Sequence, residues 1–223
     1  MSYFLVPIFQ IAYKDIILEL RTKDIFVTIL IFALLMGIIF SFVFVPTKEI
    51  VALILPGTLW VSITFAGVLG FNRSLTLEKD KGSLDGLLLC PVTRDVIYFG
   101  KFLALVIFMV SAEIFIVPLY AVLYNVSILD VGIPIIVILT TIGFAAVGTL
   151  FSAICVNTRS REVMLPILLL PVSVPIIVAA FEGTRSIVEG SPMDIWRWVQ
   201  LLAAFDVIFL IIAAFTFGAV LEE

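Results

Sequence analysis

The residues able to do chemistry within the apolar part of this chain are Glu113, Asp206, the cysteines Cys90 and Cys155, and the tyrosines. Histidine is absent from all 223 residues, which removes the usual general base and the commonest haem and metal ligand. The two cysteines lie far apart and form no C-x-x-C pair, so neither a disulfide framework nor a zinc site is expected. No P-loop, zinc-protease helix or Ser-His-Asp set occurs. Intrinsic catalysis is therefore not expected. Glu113 is costly because a carboxylate inside an apolar span must face protein or water, or take a proton. It reads either as a gating, ion-relay or substrate contact, or as a hydrogen-bond partner for a neighbouring helix, and the structural role is favoured. Asp206 is expected about five residues inside the last span, near the outer surface, with a structural or vestibule role.

These groups must be carried by membrane helices. The sequence is 63% hydrophobic and only 13% charged, the latter about half the soluble norm. Its mean hydropathy is +1.29. A soluble protein could not cover itself with so little polar surface, and the apolar runs reach the ~20 residues that cross a bilayer. The net charge of −4 is confined to loops and says little of partners. No basic run with interleaved aromatics points to nucleic acid.

Six spans are expected: about Ile25–Val45, Ile50–Phe71, Ile97–Tyr124, Val131–Val156, Val163–Phe181 and Leu201–Leu221. Residues 1–24 precede them as an amphipathic helix in the membrane surface. Its apolar face is Phe4, Leu5, Ile8, Phe9, Ala12, Ile16 and Leu20, and Pro7 fits its first turn. Gly67, Gly70, Gly143 and Gly148 mark close helix approaches. Pro166, Pro171 and Pro175 predict a bent fifth span. Residues 182–200 form a second polar stretch, in which Ser191-Pro192 can cap a short helix reaching Trp198. Of the thirteen Lys and Arg residues, ten fall on the side of the termini. The positive-inside rule then places both termini in the cytoplasm.

Five of those basic residues, Arg73, Lys79, Lys81, Arg94 and Lys101, lie in or just after the loop 72–96. Within it Thr76 is placed to cap a short helix, Gly82 interrupts it, Leu84, Leu87, Leu88 and Leu89 give it an apolar face, and Pro91 stops it. Water satisfies such a face poorly, and a groove on another protein satisfies it well.

The run from Leu77 to Val92, LEKDKGSLDGLLLCPV, resembles the loop of type-2 ABC exporter permeases, through Glu78, Gly82, Leu84, Leu87, Leu88 and Pro91. Cys90 stands where small residues such as Ser are common. The match extends over the whole chain. With Leu165-Pro166 through Pro171 and Val174-Pro175, it resembles most the haem exporter protein B family, permease subunits of cytochrome c maturation. The resemblance implies an all-α ABC-2 permease fold in one transmembrane domain, 1–223, in a bacterial inner membrane. It makes 1–24 an elbow helix, 72–96 a coupling-helix loop and 182–200 a periplasmic loop. It implies two permease copies and two cytoplasmic ATPase subunits, the latter holding ATP and magnesium, with a haem-handling membrane protein and a periplasmic haem chaperone as partners. No cofactor would reside in this chain, and haem would be a handled substrate. The absence of histidine favours release of the loaded chaperone over conduction of haem. In the lever motion expected, spans 1, 2 and 5 shift. The alternative is a type-2 exporter for a lipid, polysaccharide or drug. A stand-alone secondary transporter is disfavoured by the lack of an inverted repeat.

Overall fold

The computed structural model describes residues 2–22, 24–44, 47–80, 86–87, 89–126, 132–155, 158, 160–190 and 195–220. Among them are seven long helices: α1 (Ser2–Thr22), α2 (Asp24–Val43), α3 (Lys48–Asp80), α4 (Arg94–Tyr124), α5 (Gly132–Cys155), α6 (Arg161–Glu189) and α7 (Ile195–Val220). Six of them, α2 to α7, are long and apolar enough to cross a membrane. The chain is a multi-pass, all-α membrane protein, as its hydropathy requires.

Helix α5 is the centre of the bundle. It is packed by α3, α4, α6 and α7, and most of its residues are buried. Two glycines let α3 meet it closely. The ring of Phe144 lies where a side chain on Gly67 would stand, and the ring of Phe71 lies where one on Gly148 would stand. The two rings then meet at 5.5 Å between centroids. Because lipid offers apolar surface equal to that of a neighbouring helix, close packing of this kind holds membrane helices together. Gly148→Leu should therefore cost at least the ~1–3 kcal/mol of overpacking. Unfolding in mixed detergent checks this, with Gly218→Leu as the control, since a side chain at Gly218 meets nothing within 4 Å.

Polar groups add specific ties between helices. Trp60 Nε1 donates to Thr184 Oγ1 at 3.0 Å, joining α3 to α6. Tyr120 OH donates to the Ala33 carbonyl at 3.1 Å and accepts from Ser62 Oγ at 2.8 Å. One phenol thus joins α2, α3 and α4.

Two element ends depart from expectation. Helix α3 does not stop at Phe71 but continues to Asp80, about 13 Å further at 1.5 Å per residue. Thr76 therefore lies inside a helix and not at the start of one. The segment from Asn72 to Asp80 contains no Pro or Gly, and Leu77, Glu78 and Lys79 are good helix formers, so nothing in it ends the helix. Likewise the stretch 182–200 is not a long loop. Helix α6 continues to Glu189 and ends on Gly190, whose φ of 77° is left-handed and whose N–H donates to the Ile187 carbonyl at 3.1 Å. The polar end of α6 is supported by Arg185, which lies 2.8 Å from Glu189 and 3.9 Å from Glu182 on its own face. Helix α7 already begins at Ile195, so the short helix expected near Trp198 is its first part. Helix α6 remains helical through Pro166, Pro171 and Pro175.

Helix α1 is a helix, as expected, but its apolar stripe is divided. Ile8, Ile11 and Ala12 are buried, whereas Leu5, Phe9 and Tyr13 are exposed. One half packs on α4, where a side chain on Gly100 would stand 2.8 Å from the Ile11 Cβ. The other half faces outward.

Candidate functional site

The segment between α3 and α4 is built into the end of the bundle where α1 lies. A second apolar core sits there, separate from the main one. It joins Ile8 and Ile11 of α1, Val96, Ile97 and Tyr98 of α4, Leu150 and Ala153 of α5, and Ala213 and Phe217 of α7. Leu87 and Val92 of the connecting segment pack against this core. Leu87 therefore faces its own bundle. Leu89, two residues on, is 86% exposed, and Cys90 and Pro91 beside it are exposed too. The apolar face expected from Leu84 to Leu89 is thus divided: Leu87 anchors and Leu89 is presented outward. Gly82, Leu84 and Leu88 lie outside the described residues, as does the side chain of Glu78, although its backbone belongs to α3.

The start of α4 is tied down on both sides. Arg94 Nη1 donates to the Gly218 carbonyl of α7 at 3.3 Å. One turn past Tyr98, Lys101 Nζ lies 2.7 Å from Asp15 Oδ2 of α1. The Lys101 side chain is only 1% exposed, so this is a buried ion pair and its geometry is strongly constrained. Lys14 reaches the same carboxylate at 3.3 Å from an exposed position. Sequence reasoning missed the pair by counting Lys101 with the loop charges. The available signal was a lysine inside an apolar run, which needs a carboxylate.

Glu113 and Asp206 lie within the bundle at nearly the same depth. Glu113, on α4, is 3% exposed. Its Oε1 accepts from Thr141 Oγ1 of α5 at 2.6 Å. That hydroxyl also lies 2.8 Å from the Val137 carbonyl. Of the two readings of Glu113, the geometry favours the hydrogen-bond partner for a neighbouring helix. That neighbour is in the same chain, so the carboxyl group lies in the protomer interior. Removing the Thr141 hydroxyl leaves Glu113 with no hydrogen-bond donor among the described residues, at a cost of about 1–3 kcal/mol. Thr141→Val should show this loss on unfolding in mixed detergent, and adding Glu113→Leu to it should recover part.

Asp206 is not near a surface. Because α7 begins at Ile195, Asp206 is about 17 Å along it, close to the middle of its 26 residues. It is 4% exposed and lies against Gly143 of α5. A vestibule role at the outer surface is excluded by this position.

The chain matches the family model described as CcmB protein over residues 6–223. Relatives carrying the name heme exporter protein B agree with this extent. The protein of Rhodobacter capsulatus is 28% identical over 82% of this chain and 84% of its own length. That of Paracoccus denitrificans is 26% identical over 94% of this chain and 95% of its own. That of Bradyrhizobium diazoefficiens is 22% identical over 94% and 95%. A bundle of six apolar spans preceded by a docked helix, matched over almost its full length, makes this chain a member of the CcmB protein family.

Proposed function

We propose that this chain is the membrane subunit of an ABC transporter that handles haem in cytochrome c maturation. The observation that carries the reading is the family match over residues 6–223, with relatives of nearly equal length named heme exporter protein B. The chain is a non-catalytic subunit of a bacterial inner membrane. A separate ATPase binds ATP and magnesium and hydrolyses the nucleotide, and two copies of each subunit assemble. Both termini and the segment between α3 and α4 face the cytoplasm, in keeping with the bias of ten basic residues to three. Beyond the ATPase, a haem-handling membrane protein and a periplasmic haem chaperone are the partners.

The mechanism is mechanical. The ATPase engages the segment around Glu78 to Pro91, with Leu89 inserted into a groove on its surface. Closing of the ATPase pair displaces this segment. The displacement passes along α3, which is continuous with the segment through Asp80. It also passes through Leu87 and Val92 into the second core, and so into α1, α4, α5 and α7. The lever thus reaches more helices than spans 1, 2 and 5. At the far end, α6 and α7 shift against the periplasmic partners, and the loaded chaperone is released. No histidine is present to ligate passing haem, which favours release over conduction.

The test is haem staining of c-type cytochromes in a host lacking its own homologue. Restoring this chain should restore covalently bound haem. A host that assembles c-type cytochromes normally without it would overturn the proposal and favour an exporter of another substrate.

A further inference from the structure

Several buried hydroxyls in this bundle are satisfied within their own helix, and two others have no partner among the described residues. Thr58, Thr149, Ser152 and Thr184 each donate to a backbone carbonyl of the preceding turn of their own helix, which satisfies the donor at little cost. Thr140 of α5 and Ser173 of α6 are as deeply buried, yet neither hydroxyl has a hydrogen-bond partner among the described residues. The same is true of both carboxyl oxygens of Asp206 on α7. These groups share one region. Asp206 lies against Gly143, and Thr140 is one turn from Gly143 on the same side of α5. Ile176 of α6 comes within 3.2 Å of a methyl placed on Gly143, and Ser173 is one turn from Ile176. Glu113 lies outside this group. Its partner Thr141 is two residues from Gly143, about 200° around α5 and so nearly opposite.

We propose that Asp206, Thr140 and Ser173 form a binding site for a monovalent metal cation of sodium size, between α5, α6 and α7 in the middle of the membrane. The chemistry of the donors selects the ligand. All are hard oxygens, which suit alkali and alkaline-earth ions and not soft metals. A single carboxylate balances one positive charge, so a divalent ion would leave an excess charge in the apolar slab. A proton on one carboxyl oxygen would need neither hydroxyl. A metal ion draws on the carboxylate and both hydroxyls together. Gly143 leaves the Asp206 carboxylate the room that a side chain there would take. Bound in this way, the cation would pin α7 to α5 and α6, independently of any ATPase.

The test is thermal unfolding of the purified chain in lipid nanodiscs, in sodium chloride or in N-methylglucamine chloride at equal ionic strength. A ligand that binds only the folded state raises the melting temperature in proportion to its occupancy. Sodium should raise it in a saturable way in the wild type and not in Asp206→Asn. Ser173→Ala and Thr140→Val, which leave the carboxylate in place, should each need roughly tenfold more sodium for the same rise. These milder variants decide the matter if Asp206→Asn does not fold. Equal melting temperatures in the two salts, or an undiminished sodium effect in Ser173→Ala and Thr140→Val, would overturn the site.

Discussion

Asp15→Asn is expected to destabilise the protein by up to about 3 kcal/mol, the scale of breaking a buried ion pair by removing one partner. The charge left behind is on Lys101, whose side chain is 1% exposed and whose Nζ lies 2.7 Å from Asp15. Lys101→Met should cost less, because Asp15 is 10% exposed and keeps Lys14 at 3.3 Å. The double variant Asp15→Leu with Lys101→Met should be milder than Asp15→Asn alone, since an apolar pair of similar volume replaces the charges. Unfolding in mixed detergent measures all three. A double variant as damaged as Asp15→Asn would mean that packing, and not charge, holds α1 to α4. The pair matters for function because it lies beside the second core, through which movement of the connecting segment reaches the bundle.

Leu89→Asp is expected to abolish recovery of the ATPase while leaving the fold intact. Leu89 is 86% exposed, so its replacement should change stability by no more than about 0.5 kcal/mol. As an apolar anchor in a partner's groove it should be worth about 2 kcal/mol or more, a loss of roughly thirtyfold in affinity. Leu87→Asp should behave in the opposite way. Leu87 packs against the second core, so a charge there should destabilise this end of the bundle even without a partner. Two leucines two residues apart thus separate docking from folding. Co-purification with the ATPase and unfolding of the isolated chain, measured on both variants, distinguish them. Equal ATPase recovery from Leu89→Asp and wild type would remove Leu89 from the interface.

The spans were legible because bilayer thickness imposes a length and a composition on them, and both are visible in a one-dimensional hydropathy trace. Helix ends were less legible, because the same trace marks where a helix leaves the apolar layer and not where it stops. Helix α3 runs on to Asp80 and α6 to Glu189 because polar residues carry a helix as well as apolar ones do, and α6 ends only where Gly190 takes a left-handed φ. Asp206 was misplaced for this reason: the unrecognised first turns of α7, from Ile195, push it to mid-membrane. Gly143 and Gly148 were recognised as close approaches, yet their partners, Asp206 and Phe71, depend on which helices meet. The motif Glu78 to Pro91 was legible by resemblance, but not the division of its leucines. A pattern of apolar residues does not say which face meets the bundle and which the partner. The buried pair of Lys101 and Asp15 joins residues far apart in sequence, and only the tertiary fold brings them together.

The measurement that tests the account most directly is a gentle-detergent purification of this chain from active membranes, with identification of every protein that accompanies it. The account predicts a cytoplasmic ATPase together with membrane proteins that handle haem, with the ATPase lost from Leu89→Asp. Recovery of the intact chain with neither an ATPase nor a haem-handling partner would contradict it.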